Sequence, residues 1–148
     1  MSGYLLDTSV LVALGRPADT KHEPVRRWYD DVPADELWTC TIALGELARG
    51  ITVMPAGARR RQQEHRLHDA VVLAFADRML GFDLDCALKW GALMGEGQLA
   101  GRVPPAIDTM IAAVAAVNAL TVVTTNTRDF VMSGVACLDP TGASGKPT

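Results

Sequence analysis

Nine residues near the N-terminus, Tyr4-Leu5-Leu6-Asp7-Thr8-Ser9-Val10-Leu11-Val12, constrain the fold more than any other stretch. Three apolar residues lead straight into an acid, two hydroxyl residues follow, and a second apolar run begins. A short, unbroken apolar run reads as a strand buried on both faces, which is the habit of parallel sheets. The spacing predicts a strand ending at Asp7 and a helix starting near Thr8 or Ser9. In open parallel sheets, ligands sit beyond the carboxyl ends of the strands. Asp7 is therefore expected at the floor of a cleft, and the other acids of the chain become candidate partners for it.

The chain of 148 residues suits one domain with a single core. After a turn-like break at Arg16 to Thr20, with Pro17 and Asp19, the pattern predicts a helix over His22 to Asp31 and a short strand over Leu37 to Thr39. A helix over Thr41 to Gly50 follows and ends at Met54-Pro55-Ala56-Gly57. Leu67, Val71, Ala74 or Phe75, and Met79 recur at helical spacing, which predicts one long helix from Ala58 to Met79. Gly81-Phe82-Asp83 reads as a short strand or a link. The next helix is expected over Asp85 to Gln98, with Leu88, Gly91 or Ala92, and Gly95 allowing close packing, and a loop to Pro105 follows. A helix over Ala106 to Ala119, a strand over Leu120 to Thr124, a turn or single helical turn over Asn126 to Ser133 and a strand over Val135 to Leu138 complete the pattern. Strands alternate with helices, so the expected class is α/β: an α/β/α sandwich with a mostly parallel central sheet. Residues 1–140 form one domain in this reading. The stretch from Asp139 on, rich in Gly, Pro, Ser and Thr, reads as a loose tail, with 141–148 beyond the domain.

The three cysteines, Cys40, Cys86 and Cys137, are far apart and odd in number, with neither zinc nor disulfide spacing. They read as small core residues in a reducing, cytoplasmic setting. No signal peptide is expected, because the start carries no basic residue and Asp7 interrupts the apolar run. The longest uncharged run, Thr109 to Thr127, contains Asn118 and reads as a buried helix and strand, not a membrane span.

Four acids stand out. Asp7 ends the first strand. Glu46 sits within a helix, and Ile42 and Val53 share its face. Asp108 begins a helix that is otherwise almost wholly apolar, and Asp129 lies five residues beyond the strand end at Thr124. Each has a bland account: Asp7 as a helix cap, Asp108 at a helix's positive end, Asp129 as a turn cap, Glu46 as half exposed. Their joint placement is less bland, because Asp7 and Asp129 follow strand carboxyl ends and Asp108 starts a helix whose loop can reach the same edge. Carboxylates gathered in one cleft repel unless a cation intervenes. Hard oxygen ligands with no His or Cys nearby favour Mg²⁺ or Mn²⁺, and such sites bind substrate phosphates. Two divalent ions about 4 Å apart activate water and stabilise the leaving oxygen in phosphodiester cleavage.

At these residues the chain resembles a known family. Leu6-Asp7-Thr8-Ser9, Leu44-Gly45-Glu46-Leu47-Ala48-Arg49-Gly50, Asp108-Thr109-Met110-Ile111-Ala112-Ala113 and Val123-Thr124-Thr125-Asn126-Thr127-Arg128-Asp129-Phe130 are similar to the four blocks of PIN-domain ribonucleases, in particular toxins of the VapC and FitB type. The likeness runs from Leu5 to about Pro140, and Met54-Pro55-Ala56-Gly57 with the arginines after it also looks FitB-like. The resemblance implies a homodimer, Mg²⁺- or Mn²⁺-dependent endoribonuclease activity leaving 3′-hydroxyl and 5′-phosphate ends, and neutralisation by a VapB- or FitA-like antitoxin of a type II toxin–antitoxin system. Carried over by position, Asp7, Glu46, Asp108 and Asp129 are its catalytic and metal-binding acids, with Asn126 and Ser9 in supporting polar roles. Two departures stand at Thr125, where relatives often carry a basic residue, and at Thr109, where Ala is usual.

The formal charge of −3 looks wrong for a protein that handles nucleic acid. Setting the four acids aside leaves 13 of the 17 acidic residues against 14 basic ones, a balance of +1. Arg59, Arg60, Arg61 and Arg66 are candidates to meet RNA phosphates, against the alternative of a solvated helix face. Trp28, Trp38 and Trp90 read as core or dimer packing. Two rival functions remain: a catalytically silent PIN fold that only holds a partner, and a Mg²⁺-dependent phosphotransfer protein. The second is disfavoured because Ser9 stands two residues after Asp7 where an Asp is wanted, Asp7 has no acidic neighbour, and Lys146 lies in the tail.

Overall fold

The computed structural model describes residues 2–16 and 21–142. Pro17 and Asp19 of the expected turn, and residues 143–148 of the expected tail, lie outside the described residues. Among the described residues five strands make one sheet: β1 (Tyr4–Leu6), β2 (Leu37–Cys40), β3 (Met79–Leu80), β4 (Thr121–Val123) and β5 (Cys137–Leu138). Their spatial order is β3-β2-β1-β4-β5, and every pairing is parallel. In the central pair, Leu6 stands opposite Val123. Leu5, Leu6, Val122 and Val123 are completely buried, which is why these runs are apolar without alternation. The fully buried Val and Leu side chains contribute about 1.5–3 kcal/mol each relative to exposure.

Among the described residues seven α-helices flank the sheet: α1 (Thr8–Leu14), α2 (Glu23–Asp31), α3 (Thr41–Thr52), α4 (Ala58–Arg66), α5 (Leu84–Leu99), α6 (Ala106–Val117) and α7 (Thr127–Val131). The five consecutive residues Ile111 to Ala115 of α6 are buried, so this helix lies inside the molecule and shows no polar face there. The chain winds outward from β1 through β2 to β3, then crosses back to β4 on the other side of β1. The strand order therefore reverses between β1 and β4, and a crevice opens beyond their carboxyl ends.

Three expectations need correction. The long helix over Ala58 to Met79 is α-helical only to Arg66, continues as a π-helical segment over Leu67–Leu73, and stops. No Gly or Pro marks that stop. The sheet makes it: the amide of Thr39 donates to the carbonyl of Arg78 at 3.1 Å and Met79 pairs with Thr39, so the edge of β2 captures the chain. Gly81-Phe82-Asp83 is a link, and the strand lies just before it. In α5 the buried positions are Cys86 and Leu93, with the Trp90 indole donating to the carbonyl of Ala106 at 3.1 Å, whereas Leu88, Gly91 and Ala92 face outward. Asp139, placed at the start of the expected loose tail, is instead buried and accepts the Thr141 amide at 2.9 Å.

All three cysteines are free and buried, as expected. Among the described residues no helix is long and apolar enough to cross a membrane.

The end of α6 carries a small, measurable strain. The amide of Leu120 donates to the carbonyl of Ala115 at 2.9 Å and that of Ala119 to Ala116 at 3.4 Å, the double closure of a Schellman ending. The left-handed position, at φ 55°, is filled by Ala119 where glycine is usual. Ala119→Gly is expected to stabilise the fold by about 0.5–1 kcal/mol. Chemical denaturation with an unchanged m-value would read it, and a loss of stability would contradict it.

Candidate active site

Asp7 joins the sheet to the first helix. Its amide continues the β1–β4 ladder by donating to the carbonyl of Val123 at 3.1 Å. Its side chain caps α1, with Oδ1 accepting the Val10 amide at 3.3 Å and the Ser9 hydroxyl at 2.6 Å. The residue is only 4% exposed. Burial raises its carboxyl pKa, and the hydroxyls of Ser9 and Thr124 with the amides of Val10 and Ser9 offset part of that rise.

Ser9 also ties α1 to the end of β4. Its Oγ accepts the Thr125 amide at 3.0 Å and lies 3.3 Å from the hydroxyl of Thr124. Thr124, fully buried, accepts the Asn126 amide on Oγ1 at 2.9 Å. Asn126 is the N-cap of α7, and its side-chain amide donates to Oδ2 of Asp129. The loop after β4 thus holds Asp129 through a chain of short-range bonds that starts at Asp7.

Glu46 arrives from the other side. It lies in α3, which packs against α1, and Oε1 accepts the Thr8 hydroxyl at 2.7 Å. Its inward direction does not come from the apolar face expected of it, because Val53 ends the helix and is 77% exposed. Asp108 sits in the first turn of α6 and is half-buried. Its pKa is raised to about 6, first by burial, then by the negative charge of Asp129, that of Asp7, a carboxyl contact with Asp129, and the charge of Glu46. Asp129, Asp7 and Glu46 thus all lie within electrostatic reach of Asp108.

Four acids from four separate elements therefore meet beyond the carboxyl ends of β1 and β4. Among the described residues none of them is ion-paired to a Lys, Arg or His. Among the same residues, no group of three or more His, Cys, Asp and Glu side chains is drawn together closely enough to hold a metal ion as it stands. The cluster is an open, negatively charged bay.

A cleft of about 500 Å³ adjoins that bay and shares Thr8 and Glu46 with it. Arg59, one of the four arginines singled out in the sequence, lines this cleft. Arg60 is committed to Glu64 at 3.0 Å, and Arg61 is exposed away from the cleft lining. Arg66 and Arg16 line it too. Trp28 packs edge-on against Tyr4 at 5.2 Å, in keeping with a packing role.

Thr8 and Thr124 hold the acids in place but were not singled out in the sequence. The available signal was that each is a hydroxyl residue directly beyond a strand end, where its side chain must face either the crevice or an acid.

The chain matches the family model described as PIN domain over residues 4–132. It is 33% identical over 136 residues to plasmid stability protein StbB of Pseudomonas syringae pv. tomato and to VapC ribonuclease Y4jK of Sinorhizobium fredii, covering 92% of this chain and 96% of each relative. The crystal structure of FitAcB from Neisseria gonorrhoeae matches with a TM-score of 0.85 at 30% identity, over 93% of this chain and 97% of that one. VapBC-5 from Mycobacterium tuberculosis, a member of the VapBC family of toxin–antitoxin systems, matches with a TM-score of 0.58 at 30% identity, over 84% of each chain. With its acids gathered at the switch point of a parallel sheet, and with relatives spanning almost its whole length, the chain belongs to the PIN-domain family, in its VapC/FitB-like branch.

Proposed function

We propose that this protein is a metal-dependent endoribonuclease, acting in the cytoplasm as the toxin of a toxin–antitoxin pair. The observation that carries the proposal is the meeting of Asp7, Glu46, Asp108 and Asp129 in one bay with no cation from the described chain to balance them. Asp108, pushed to about 6 first by burial and then by its acidic neighbours, is a sign of that imbalance. An all-oxygen donor set with uncompensated negative charge fits Mg²⁺ or Mn²⁺ in kind. The open arrangement fits as well, because Mg²⁺ keeps several waters and is held by one or two carboxylates together with substrate phosphate.

Asp7, Asp108 and Asp129 would hold one ion, and Glu46 a second ion or its water. When bound, such ions supply charge neutralisation at the phosphodiester and activation of water. The chain's own contribution is placement. Ser9 and the Val10 amide fix the Asp7 carboxylate, Asn126 fixes Asp129, and Thr8 engages Oε1 of Glu46, the one oxygen of that carboxylate with a partner among the described residues. The closed backbone beneath the bay, where Leu6 and Val123 pair, seals it on the core side.

The names of the relatives support the rest. A VapC ribonuclease is similar over nearly the full chain, and a similar structure belongs to a toxin–antitoxin system. A small antitoxin is the partner this implies. A homodimer also suits the chain, since Leu84, Leu88 and Leu99 of α5 stand 75%, 67% and 90% exposed along one side, beside glycines with open space over them.

The test is to map RNA 5′ ends after expressing the protein with and without Asp108→Asn. New ends are expected with the native chain, falling at least about a hundredfold in the variant, as loss of several kcal/mol of transition-state stabilisation requires. The same ends from both proteins would overturn the assignment. Absence of any metal-dependent cutting of structured RNA by the purified protein would favour the rival, a PIN fold that only holds a partner.

A further inference from the structure

The cleft beside the acidic bay is lined by three arginines, Arg16, Arg59 and Arg66, and none has a carboxylate partner among the described residues. Arg66 is the most telling. It is half-buried, and its one hydrogen bond among the described residues is from Nη2 to the carbonyl of Leu11 at 3.0 Å. Its guanidinium lies against Gly15, where a Cβ would stand 2.4 Å from the guanidinium carbon. Burial and the nearby Arg26 pull its pKa below the ordinary arginine value, yet an arginine stays charged at any physiological pH.

A role in capping the C-terminal end of α1 explains one of the five N–H groups of Arg66. It does not explain why two further unpaired arginines share the cleft. Arg26 already serves that helix end, donating to the carbonyls of Leu14 and Arg16 at 3.2 and 3.0 Å. Like charges gathered in one cleft raise one another's energy unless an anion enters, and a planar guanidinium with free donors is the group best matched to a phosphate.

The cleft also has a direction. Thr8 and Glu46 line it at the acidic end. Leu11, where Arg66 is anchored, is four residues along α1 from Asp7, and Gly15 is eight, or about 6 and 12 Å along the helix axis. That is the scale of one to two nucleotides. We propose that Arg59 and Arg66, with Arg16 at the rim, form a phosphate-binding subsite that takes the RNA backbone one to two nucleotides from the bond to be cut, with Arg66 as the positioning residue that sets the register of the strand. This rests on the nuclease reading above.

The experiment measures binding, not cleavage. A short fluorescein-labelled single-stranded RNA of randomised sequence is titrated with the protein in EDTA over a series of KCl concentrations, and anisotropy gives affinity against salt. Each phosphate contact contributes about −0.7 to the slope of log affinity on log salt for single strands. Arg59→Gln and Arg66→Gln are each expected to weaken binding several-fold and to reduce the slope by about that amount. Arg66→Lys should restore the slope without the full affinity, because the charge returns and the fork does not. Arg61→Gln, off the cleft, should leave the slope unchanged. Should Arg66→Gln fail to fold, Arg59→Gln still tests the subsite, because Arg59 is exposed and anchors nothing in the described chain.

Slopes for Arg59→Gln and Arg66→Gln equal to the native value would overturn the proposal, as would an equal loss in Arg61→Gln. So would binding of a labelled hexaglutamate peptide that depends on Arg59 and Arg66 while RNA binding does not, since the cleft would then receive an acidic protein segment. If the Asp108-dependent RNA ends appear while the slopes stay native, only the subsite falls. If the native protein binds RNA at no salt concentration, the subsite falls, and the nuclease reading is decided by whether the Asp108-dependent RNA ends appear.

Discussion

Asp7→Asn is expected to reduce RNA cleavage by roughly 10³-fold or more, the size of effect that follows from losing several kcal/mol of transition-state stabilisation. The fold should survive the change. Asn is as good an N-cap as Asp, and its side-chain oxygen can still accept from the Val10 amide and the Ser9 hydroxyl. The buried carboxylate of Asp7 is itself a cost to the folded chain, since burial raises its pKa. In EDTA at neutral pH the variant should therefore melt no lower than the native protein. Cleavage and melting temperature measured on one preparation separate the two effects. Native activity in a well-folded Asp7→Asn sample would remove Asp7 from the chemistry, and a collapsed melting temperature would show that it serves chiefly as a cap.

The second large effect is a pH-dependent stability that a divalent ion reverses. Asp108 has a folded pKa of about 6 against an ordinary value of 3.8. The folded state thus binds the proton more tightly than the unfolded chain, and stability falls as pH rises through the window between those values. Below it both states are protonated and no penalty exists; above it the penalty is complete. The shift corresponds to about 3 kcal/mol at most, and solvent screening of this half-buried group brings the expected loss to about 1–2 kcal/mol. Asp7, shifted in the same direction, adds to it. In EDTA the native protein should lose stability from about pH 4 to pH 6 relative to Asp108→Asn.

Mg²⁺ or Mn²⁺ should restore that loss at pH 7.5 and do little at pH 4.5, where Asp108 holds its proton. At a hundred times its dissociation constant, an ion that binds only the folded state adds about 2.7 kcal/mol. Parallel pH–stability curves for the native chain and Asp108→Asn would mean that the acids are not crowded. A melting temperature at pH 7.5 indifferent to either ion would deny them a place in the bay.

Much of the fold could be read from local signals because the signals were local in origin. The run Tyr4-Leu5-Leu6 is apolar throughout because β1 is covered on both faces, and Asp7 follows it because a helix must be capped there. Asp108 was conspicuous because it opens a helix buried along much of its length. The end of the helix after Ala58 was not readable, because it is set by β2 recruiting residues 78–80 into the sheet and by nothing in the segment itself. The outward face of α5 was misjudged for a related reason: glycines permit close packing, but which neighbour comes close is a matter of topology.

The sequence by itself determined the alternation of strands and helices, the buried runs and the identity of the four acids, since each follows from periodicity or chemistry within a few residues. Only the tertiary structure decided that those acids share one bay, that Thr8 and Thr124 hold them, and that Arg59 and Arg66 rather than Arg60 and Arg61 line the cleft beside them. The reason is the crossover from β3 back to β4. It brings residues a hundred positions apart to adjacent strand ends, and no local pattern records such a distance.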